Sequence, residues 1–189
     1  MDKNLQTNTL NDNLGAIIAS VENGGKVEIN QFQTINKESE LRKILNSLLN
    51  APLEEPSELD KTSYKIEAKL EYNNITDDWY EIITDEFYLF ESTINDTLKQ
   101  SIDGIPQKGK FLLQMQRYYR EARRDLNLLS VPHNDIKTNS SNILNKVFEY
   151  IYDFLKSKNE IQEHYDKDNI KILVAFGFIE CKILEKPKG

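Results

Sequence analysis

The chain has 189 residues, a net charge of -7 at pH 7 and a hydrophobic fraction of 39%. This length suits one domain of ordinary size, with room for a small added module. The excess of acid repels nucleic acid on average. A single cysteine excludes an internal disulfide, and with only two histidines beside it there is no recognisable ligand set for a metal. Because the sequence also opens without an apolar signal segment, we predict a cytoplasmic protein without metal or cofactor.

The N-terminal quarter of the chain is predicted to form a small module. Residues 1–13 are rich in Asn, Thr and Asp, and we expect them to be disordered. Apolar residues alternate on both sides of Asn23-Gly24-Gly25, a sequence that favours the tight turn of a β-hairpin. Apolar residues at helical spacing between positions 41 and 49 predict a short helix, so residues 14–50 would hold a hairpin and a helix. Residues 51–62 contain two prolines and four acids, which indicate a linker.

Residues 63–187 are predicted to form a separate C-terminal domain. It opens with an alternation of apolar and charged residues from Tyr64 to Tyr72, which predicts a strand or an extended arm with one buried face that ends at Asn73-Asn74. Helical patterns follow, with Thr76 as the expected N-cap of the first. The fold class predicted is therefore mainly α: a helical bundle of four or more helices in about residues 76–187, preceded by the small N-terminal β-hairpin and the short helix.

Three of these helices are amphipathic, because their apolar residues recur every three or four positions. Each apolar stripe predicts the side of its helix that faces the core. The first stripe is Trp79, Ile83, Phe87, Phe90, Ile94 and Leu98; the second is Phe111, Met115, Tyr118, Ala122, Leu126 and Leu129; the third is Ile143, Leu144, Val147, Phe148, Ile151, Phe154 and Leu155.

The longest apolar run, residues 170–184, is compatible with a strand or a helix. Its Ile and Val residues favour a strand, whereas its length is about three times that of a usual strand. Charged residues interrupt the run, which is also too short to cross a membrane. Asp168 is a plausible N-cap, and Lys182 and Lys186 suit a helix C-terminus. We favour the central, most buried helix of the bundle and keep the strand as the alternative.

A stripe of positive charge is the sharpest electrostatic feature. Lys110, Arg117, Arg120 and Arg124 fall on one side of their predicted helix, opposite its apolar residues. Such a stripe can bind an acidic protein surface or the phosphates of nucleic acid and nucleotides. It can equally be a solvated face that forms surface salt bridges in an acidic protein, and the net charge favours that interpretation.

Glu180 is the one acid inside the long apolar run. A buried carboxylate is costly unless it is paired, so we expect either an internal partner, such as Arg120, Arg123 or tyrosine hydroxyls, or an interface with another subunit. His133 and His164 lie in polar loops without a catalytic partner at motif spacing, and Cys181 fits a small buried hydrophobic residue. No catalytic or metal-binding residue is predicted.

Two stretches of the sequence resemble the C-terminal domain of effector subunits in bacterial ABC-three-component systems. These are conflict systems that combine an ATP-binding-cassette ATPase, a small middle component and an effector. The first stretch is "KLEYNNI" and the second runs from Ala175 to Pro187, with Phe176-Gly177-Phe178 where the family pattern is shorter. The residues that match are Lys69, Tyr72, Asn73, Asn74, Ile75, Phe178, Cys181, Lys182 and Pro187.

The resemblance covers residues 64–187 and implies an adaptor domain that joins an effector to the ATPase machinery. In the family a substantial enzymatic domain precedes it, whereas only the predicted hairpin and short helix do so here. The sequence therefore predicts a non-enzymatic adaptor or assembly subunit whose partners are an ABC-type ATPase, the middle component, or both. The hairpin, which needs a further strand or a second subunit to pack on, suggests a homo-oligomer. The alternative function is a nucleic-acid or nucleotide sensor that uses the arginine stripe.

Overall fold

The structure is a computed structural model of the whole chain. It describes residues 8–10, 17–19, 29–51, 64–99, 101–102, 105–158, 166–180 and 183–187. The chain divides into two compact units, Met1–Asn36 and Lys37–Gly189.

The first unit contains a short antiparallel strand pair and the start of a helix. Strand β1, Asn8–Leu10, pairs with strand β2, Ile17–Ala19, and Thr9 lies opposite Ile18. Helix α1 begins at Ile29 and continues to Leu49 in the second unit. The predicted turn at Asn23-Gly24-Gly25 lies outside the described residues, so the hairpin proposed there stays a prediction.

The second unit is mainly helical, as predicted. After α1 come α2, Ile66–Tyr72; α3, Asp78–Glu81; a π-helical turn, Ile82–Glu86; α4, Phe87–Leu98; the two-residue strands β3, Ser101–Ile102, and β4, Ile105–Pro106; α5, Gln107–Asp125; α6, His133–Thr138; α7, Ser140–Ser157; and α8, Asp166–Ile179.

The apolar face of α1 belongs to the same core as the later helices. Leu41, Ile44, Leu45 and Leu48 are buried there. The predicted linker at 51–62 lies outside the described residues except for its first residue, Ala51. The linker therefore stays a prediction.

The strand predicted for residues 64–72 is wrong, because Ile66–Tyr72 form the helix α2. The alternation was misleading: Lys69 and Leu70 are buried in the helix, and the buried C-cap residue Asn73 follows them by four and three residues, on the same side. The helix ends in a Schellman motif. Asn74 has a φ of 52°, the amide of Ile75 bonds to the carbonyl of Leu70 at 3.0 Å, and both of those apolar side chains are buried.

The three amphipathic helices bury the predicted stripes. In the first, Asp77 rather than Thr76 caps the start, since its carboxylate accepts a hydrogen bond from the amide of Trp79 at 3.2 Å. All six of its predicted stripe residues are buried. In the other two, the exceptions are Leu129, which is 52% exposed beyond the end of α5, and Leu126, Phe148 and Phe154, which are half-buried.

The apolar run forms the predicted central helix, α8. Ile170 and all residues from Ile172 to Phe178 except Gly177 are at most 1% exposed, and α8 packs against the π-helical turn, α4, α5 and α7. The helix is shorter than predicted: it starts at Asp166 and ends at Ile179. Lys186 is therefore no helix-terminal residue, and Cys181 and Lys182 lie outside the described residues.

The chain after α8 folds back as a non-helical segment, residues 183–187, which we name the C-terminal strap. Ile183 and Leu184 are buried, and Leu184 has a φ of 64°, in the left-handed region that a leucine seldom adopts. Gly177 leaves room for this segment. A Cβ atom there would lie 2.9 Å from Ile183 Cδ1 and 3.0 Å from Met115 Cγ. Gly177 therefore lets the strap approach α8.

We expect Gly177→Ala to destabilise the protein by about 1 to 2 kcal/mol. Overpacking of a buried site costs about 1 to 3 kcal/mol, and this exceeds the gain of about 1 kcal/mol or less from replacing glycine in a helix. Chemical denaturation measures the difference. Ile183→Val removes the nearest atom, so Gly177→Ala should cost less in that background; an equal cost in both backgrounds would contradict the proposed clash.

Candidate interaction site

The two family-like stretches meet in the structure, although they are more than a hundred residues apart in sequence. The Lys69 side chain, predicted on a solvent face, is fully buried. Its Nζ donates a hydrogen bond to the carbonyl of Phe178 and lies 4.2 Å from the centre of the Phe178 ring. The last carbonyls of a helix have no partner within it and carry partial negative charge. Lys69 therefore caps the buried C-terminus of α8, which offsets part of the cost of burying its charge.

Asn73 forms the second contact between the stretches. Its Oδ1 accepts from the amide of Glu185 at 3.1 Å, and its Nδ2 donates to the Glu185 carbonyl at 2.9 Å. The same nitrogen donates to the Lys69 carbonyl at the end of α2, also at 2.9 Å. The buried amide thus pairs with the strap as a neighbouring strand would, and joins α2 to it.

The carboxylate of Glu185 is held from the opposite side by α5. Tyr119 donates to its Oε1 at 2.8 Å, and Arg123 Nη1 lies 3.3 Å from the same oxygen. Burial raises the pKa of the Tyr119 phenol well above its usual value, and the neighbouring Glu185 carboxylate raises it further. The phenol therefore keeps its proton and remains a donor. Arg123 also binds the Leu128 carbonyl through Nε at 3.0 Å and Nη2 at 2.8 Å. We call Lys69, Asn73, Tyr119, Arg123 and Glu185 the strap anchor.

Sequence reasoning found only part of this site. It singled out Asn73 through the resemblance but assigned no contact to Glu185, and it offered Arg123 as a partner of Glu180. The Glu180 carboxylate instead pairs with Lys108, at 2.7 Å. Both side chains keep contact with solvent, 29% exposed for Glu180 and 42% for Lys108, so the pair contributes little stability.

His133 is half-buried rather than in an exposed loop. It is the first residue of α6, its ring stacks on Tyr72 at 4.1 Å between centroids, and its Nε2 lies 3.3 Å from the Tyr72 carbonyl oxygen. These contacts fix α6 against the end of α2. His164 lies outside the described residues.

The predicted stripe of positive charge, which we call the basic stripe, is on the outer side of α5. Arg117, Arg120 and Arg124 are exposed, and Lys110 is half-buried. The Arg117 guanidinium bonds to Glu121 at 3.0 Å, one turn along the helix. The helix thus presents positive charge to solvent from Arg117 to its C-terminal end.

A second charged surface lies on α3, the π-helical turn and α4. Seven acids and no lysine or arginine occur between Thr76 and Leu98. Three of the four exposed large hydrophobic side chains in the described part of the chain are on this surface: Tyr80 at 49%, Tyr88 at 51% and Leu89 at 68%. We call it the acidic face. The sequence analysis did not single out this surface. Its acids are Asp77, Asp78, Glu81, Asp85, Glu86, Glu91 and Asp96.

Tyr80 also lines a groove of about 390 Å³ beside α2. The exposed carboxylates of Glu67 and Glu71 lie along the groove, together with Asn74 and the half-buried Lys137. The mixed charges of this lining identify no particular ligand.

Among the described residues, no three His, Cys, Asp or Glu side chains are arranged to hold a metal ion. No helix within the described ranges combines the length and hydropathy needed to span a membrane.

Comparison with known proteins found no similarity: no protein-family model, no curated protein and no solved structure matches the chain. The family expected from the two stretches therefore stays a prediction.

We expect Asn73→Ala to loosen the C-terminal strap and to lower the free energy of unfolding by about 2 kcal/mol. The substitution removes two hydrogen bonds to Glu185 and one to Lys69, each worth about 1 kcal/mol, and water can replace part of them at the half-buried strap. Hydrogen exchange of residues 183–187 would report the loosening. Asn142→Ala, on an exposed side of α7, is the matched control. It should leave the exchange of residues 183–187 unchanged and should change the free energy of unfolding by less than about 1 kcal/mol, through helix propensity alone. Unaltered exchange in Asn73→Ala would contradict the anchor's role.

Proposed function

We propose that this chain is a non-enzymatic adaptor or assembly subunit of a bacterial defence-type complex. Its partners would be an ABC-type ATPase, a small middle component, or both. The observation that carries the proposal is the strap anchor, in which residues from both family-like stretches bind each other.

The chemistry of the shared residues supports a scaffold. Lys69, Asn73, Ile75 and Phe178 are buried. The polar groups of Lys69 and Asn73 bind backbone atoms of the same chain. Their task is to fix the ends of α2 and α8 relative to the strap. Buried residues of this kind maintain the conformation of the domain, and a subunit that docks on other proteins requires a defined conformation.

The surface supports protein partners rather than nucleic acid. The acidic face combines exposed aromatic and aliphatic side chains with negative charge, and exposed apolar groups of this kind are typical of contact sites between proteins. A net charge of -7 disfavours phosphate ligands over most of the molecule.

Co-expression with an ABC-type ATPase and a small middle component encoded beside this chain tests the proposal. We expect a stoichiometric complex that survives affinity purification and size-exclusion chromatography in at least one of the ATP-bound, ADP-bound and nucleotide-free states. Asn73→Ala should weaken the complex at 25 °C while the chain stays folded, because the strap anchor shapes the domain. Absence of a complex with either protein in all three states would refute the proposed function.

A second candidate, a nucleic-acid or nucleotide sensor, rests on the exposed Arg117, Arg120 and Arg124. It predicts binding of a fluorescent 30-nucleotide single strand whose affinity falls steeply with salt. Arg120→Glu/Arg124→Glu should abolish that binding, whereas Lys156→Glu/Lys158→Glu, which makes the same charge change on α7, should alter it little. Affinity that is weak and equal in the three proteins would exclude this candidate.

A further inference from the structure

The chain has two exposed helical surfaces whose charges are opposite in sign. The acidic face has seven acids and no base between Thr76 and Leu98. Helix α5 has six bases and two acids between Gln107 and Asp125. Each surface also presents apolar area. Tyr80, Tyr88 and Leu89 do so on the acidic face, and Leu129, the fourth exposed large hydrophobic of the described residues, follows the basic stripe.

The π-helical turn lines up the aromatic residues of the acidic face. In a regular α-helix, eight residues carry Tyr88 about 80° around the axis from Tyr80. A π-turn accommodates one additional residue, which removes about 100° and brings the two tyrosines within about 20° of each other. They therefore form one row about 10 Å long, with Glu81 and Asp85 beside it.

The basic stripe has matching dimensions. Arg120 and Arg124 follow Arg117 by three and seven residues, so the three arginines lie on one side of α5 over about 10 Å. All three are exposed. A row of guanidinium groups of this length can contact the carboxylates beside the tyrosine row, and arginine also stacks on tyrosine rings.

We infer that the acidic face of one copy of this chain binds the α5 basic stripe of a second copy. We identify the binding partner as a second copy because the two surfaces are complementary. One chain carries a negatively charged and a positively charged surface of similar length, and each surface also presents apolar side chains. The contact joins unlike surfaces and is separate from any association through the N-terminal residues. It also requires no other protein.

Long-range repulsion between two chains of net charge -7 opposes this contact. At 0.1 M salt the Debye length is about 10 Å, so that the repulsion between whole molecules is largely screened while groups in direct contact are screened much less. Self-association is therefore best measured near this ionic strength.

Charge exchange tests the inference by sedimentation equilibrium of the full chain at 0.1 M NaCl and 10 μM to 1 mM protein. We expect the average mass to rise with concentration. Glu81→Lys/Asp85→Lys should weaken self-association at least tenfold, and so should Arg120→Glu/Arg124→Glu. The variant that carries all four substitutions should recover part of the association, because the charges at the exchanged positions of the two surfaces are again opposite in sign, although the acidic face keeps five acids.

Two controls separate this contact from others. Lys156→Glu/Lys158→Glu repeats the charge change of the arginine variant at two exposed positions, in the last turn of α7 and at its C-cap, and should associate like the parent chain. Circular dichroism melting identifies any variant that fails to fold, and Tyr88→Ser/Leu89→Ser then tests the same face without altering charge and should also weaken association.

Three results would overturn the inference. The first is a parent chain that stays monomeric at 1 mM. The second is self-association that the pairwise charge reversals leave unchanged, which would place the contact elsewhere. The third is a folded four-substitution variant that remains monomeric, which would show that the two surfaces do not bind each other. None of these results bears on co-purification with an ATPase, so the adaptor proposal is tested independently.

Discussion

The architecture of the second unit depends on the burial of α8. This helix is apolar on nearly every side, so it is stable in water only when other helices surround it. Full burial of each large aliphatic or aromatic side chain contributes about 1.5 to 3 kcal/mol, and α8 buries at least six of them. The amphipathic helices α4, α5 and α7 each turn one apolar stripe toward it. Their opposite sides then face solvent, which determines where the charged surfaces lie.

Placing a helix end inside the protein raises a second problem, because the last carbonyls of α8 need partners there. Lys69 supplies one of them. A lysine in that place is unusual, since a buried charge is costly, but the carbonyl oxygen and the aromatic ring of Phe178 both favour a cation. Gly177 lies in the same region. Because it has no Cβ atom, the strap can pass close to α8. The strap in turn connects α2 and α5 through Asn73, Tyr119 and Arg123.

The distribution of charge follows from the same arrangement. The apolar sides of α4 and α5 pack in the core, so packing does not restrict which residues occupy their outer sides. On α4 and the turn before it the outer side is acidic with exposed tyrosines; on α5 it is basic. Ion pairs on such surfaces contribute little to stability, so the segregation of sign over whole helices is better explained by recognition than by folding. The proposed self-association starts from this asymmetry, whereas the adaptor proposal starts from the strap anchor and takes only additional support from the acidic face.

The sequence by itself determined the helical class of the second unit, the apolar stripes of its long helices and the central place of α8. The class and the stripes rest on a period of 3.6 residues sustained over many positions. The central place of α8 rests instead on the length of an apolar run that covers nearly every side of a helix. The prediction from sequence failed at Tyr64 to Tyr72, because a helix of seven residues is too short to show a helical period against an accidental alternation of apolar and charged residues. Only the tertiary structure decided that Lys69 is buried, that Glu180 pairs with Lys108, and that Asn73, Tyr119 and Arg123 meet at Glu185. These contacts join residues far apart in the chain, and no local pattern specifies which distant partner a polar side chain will meet.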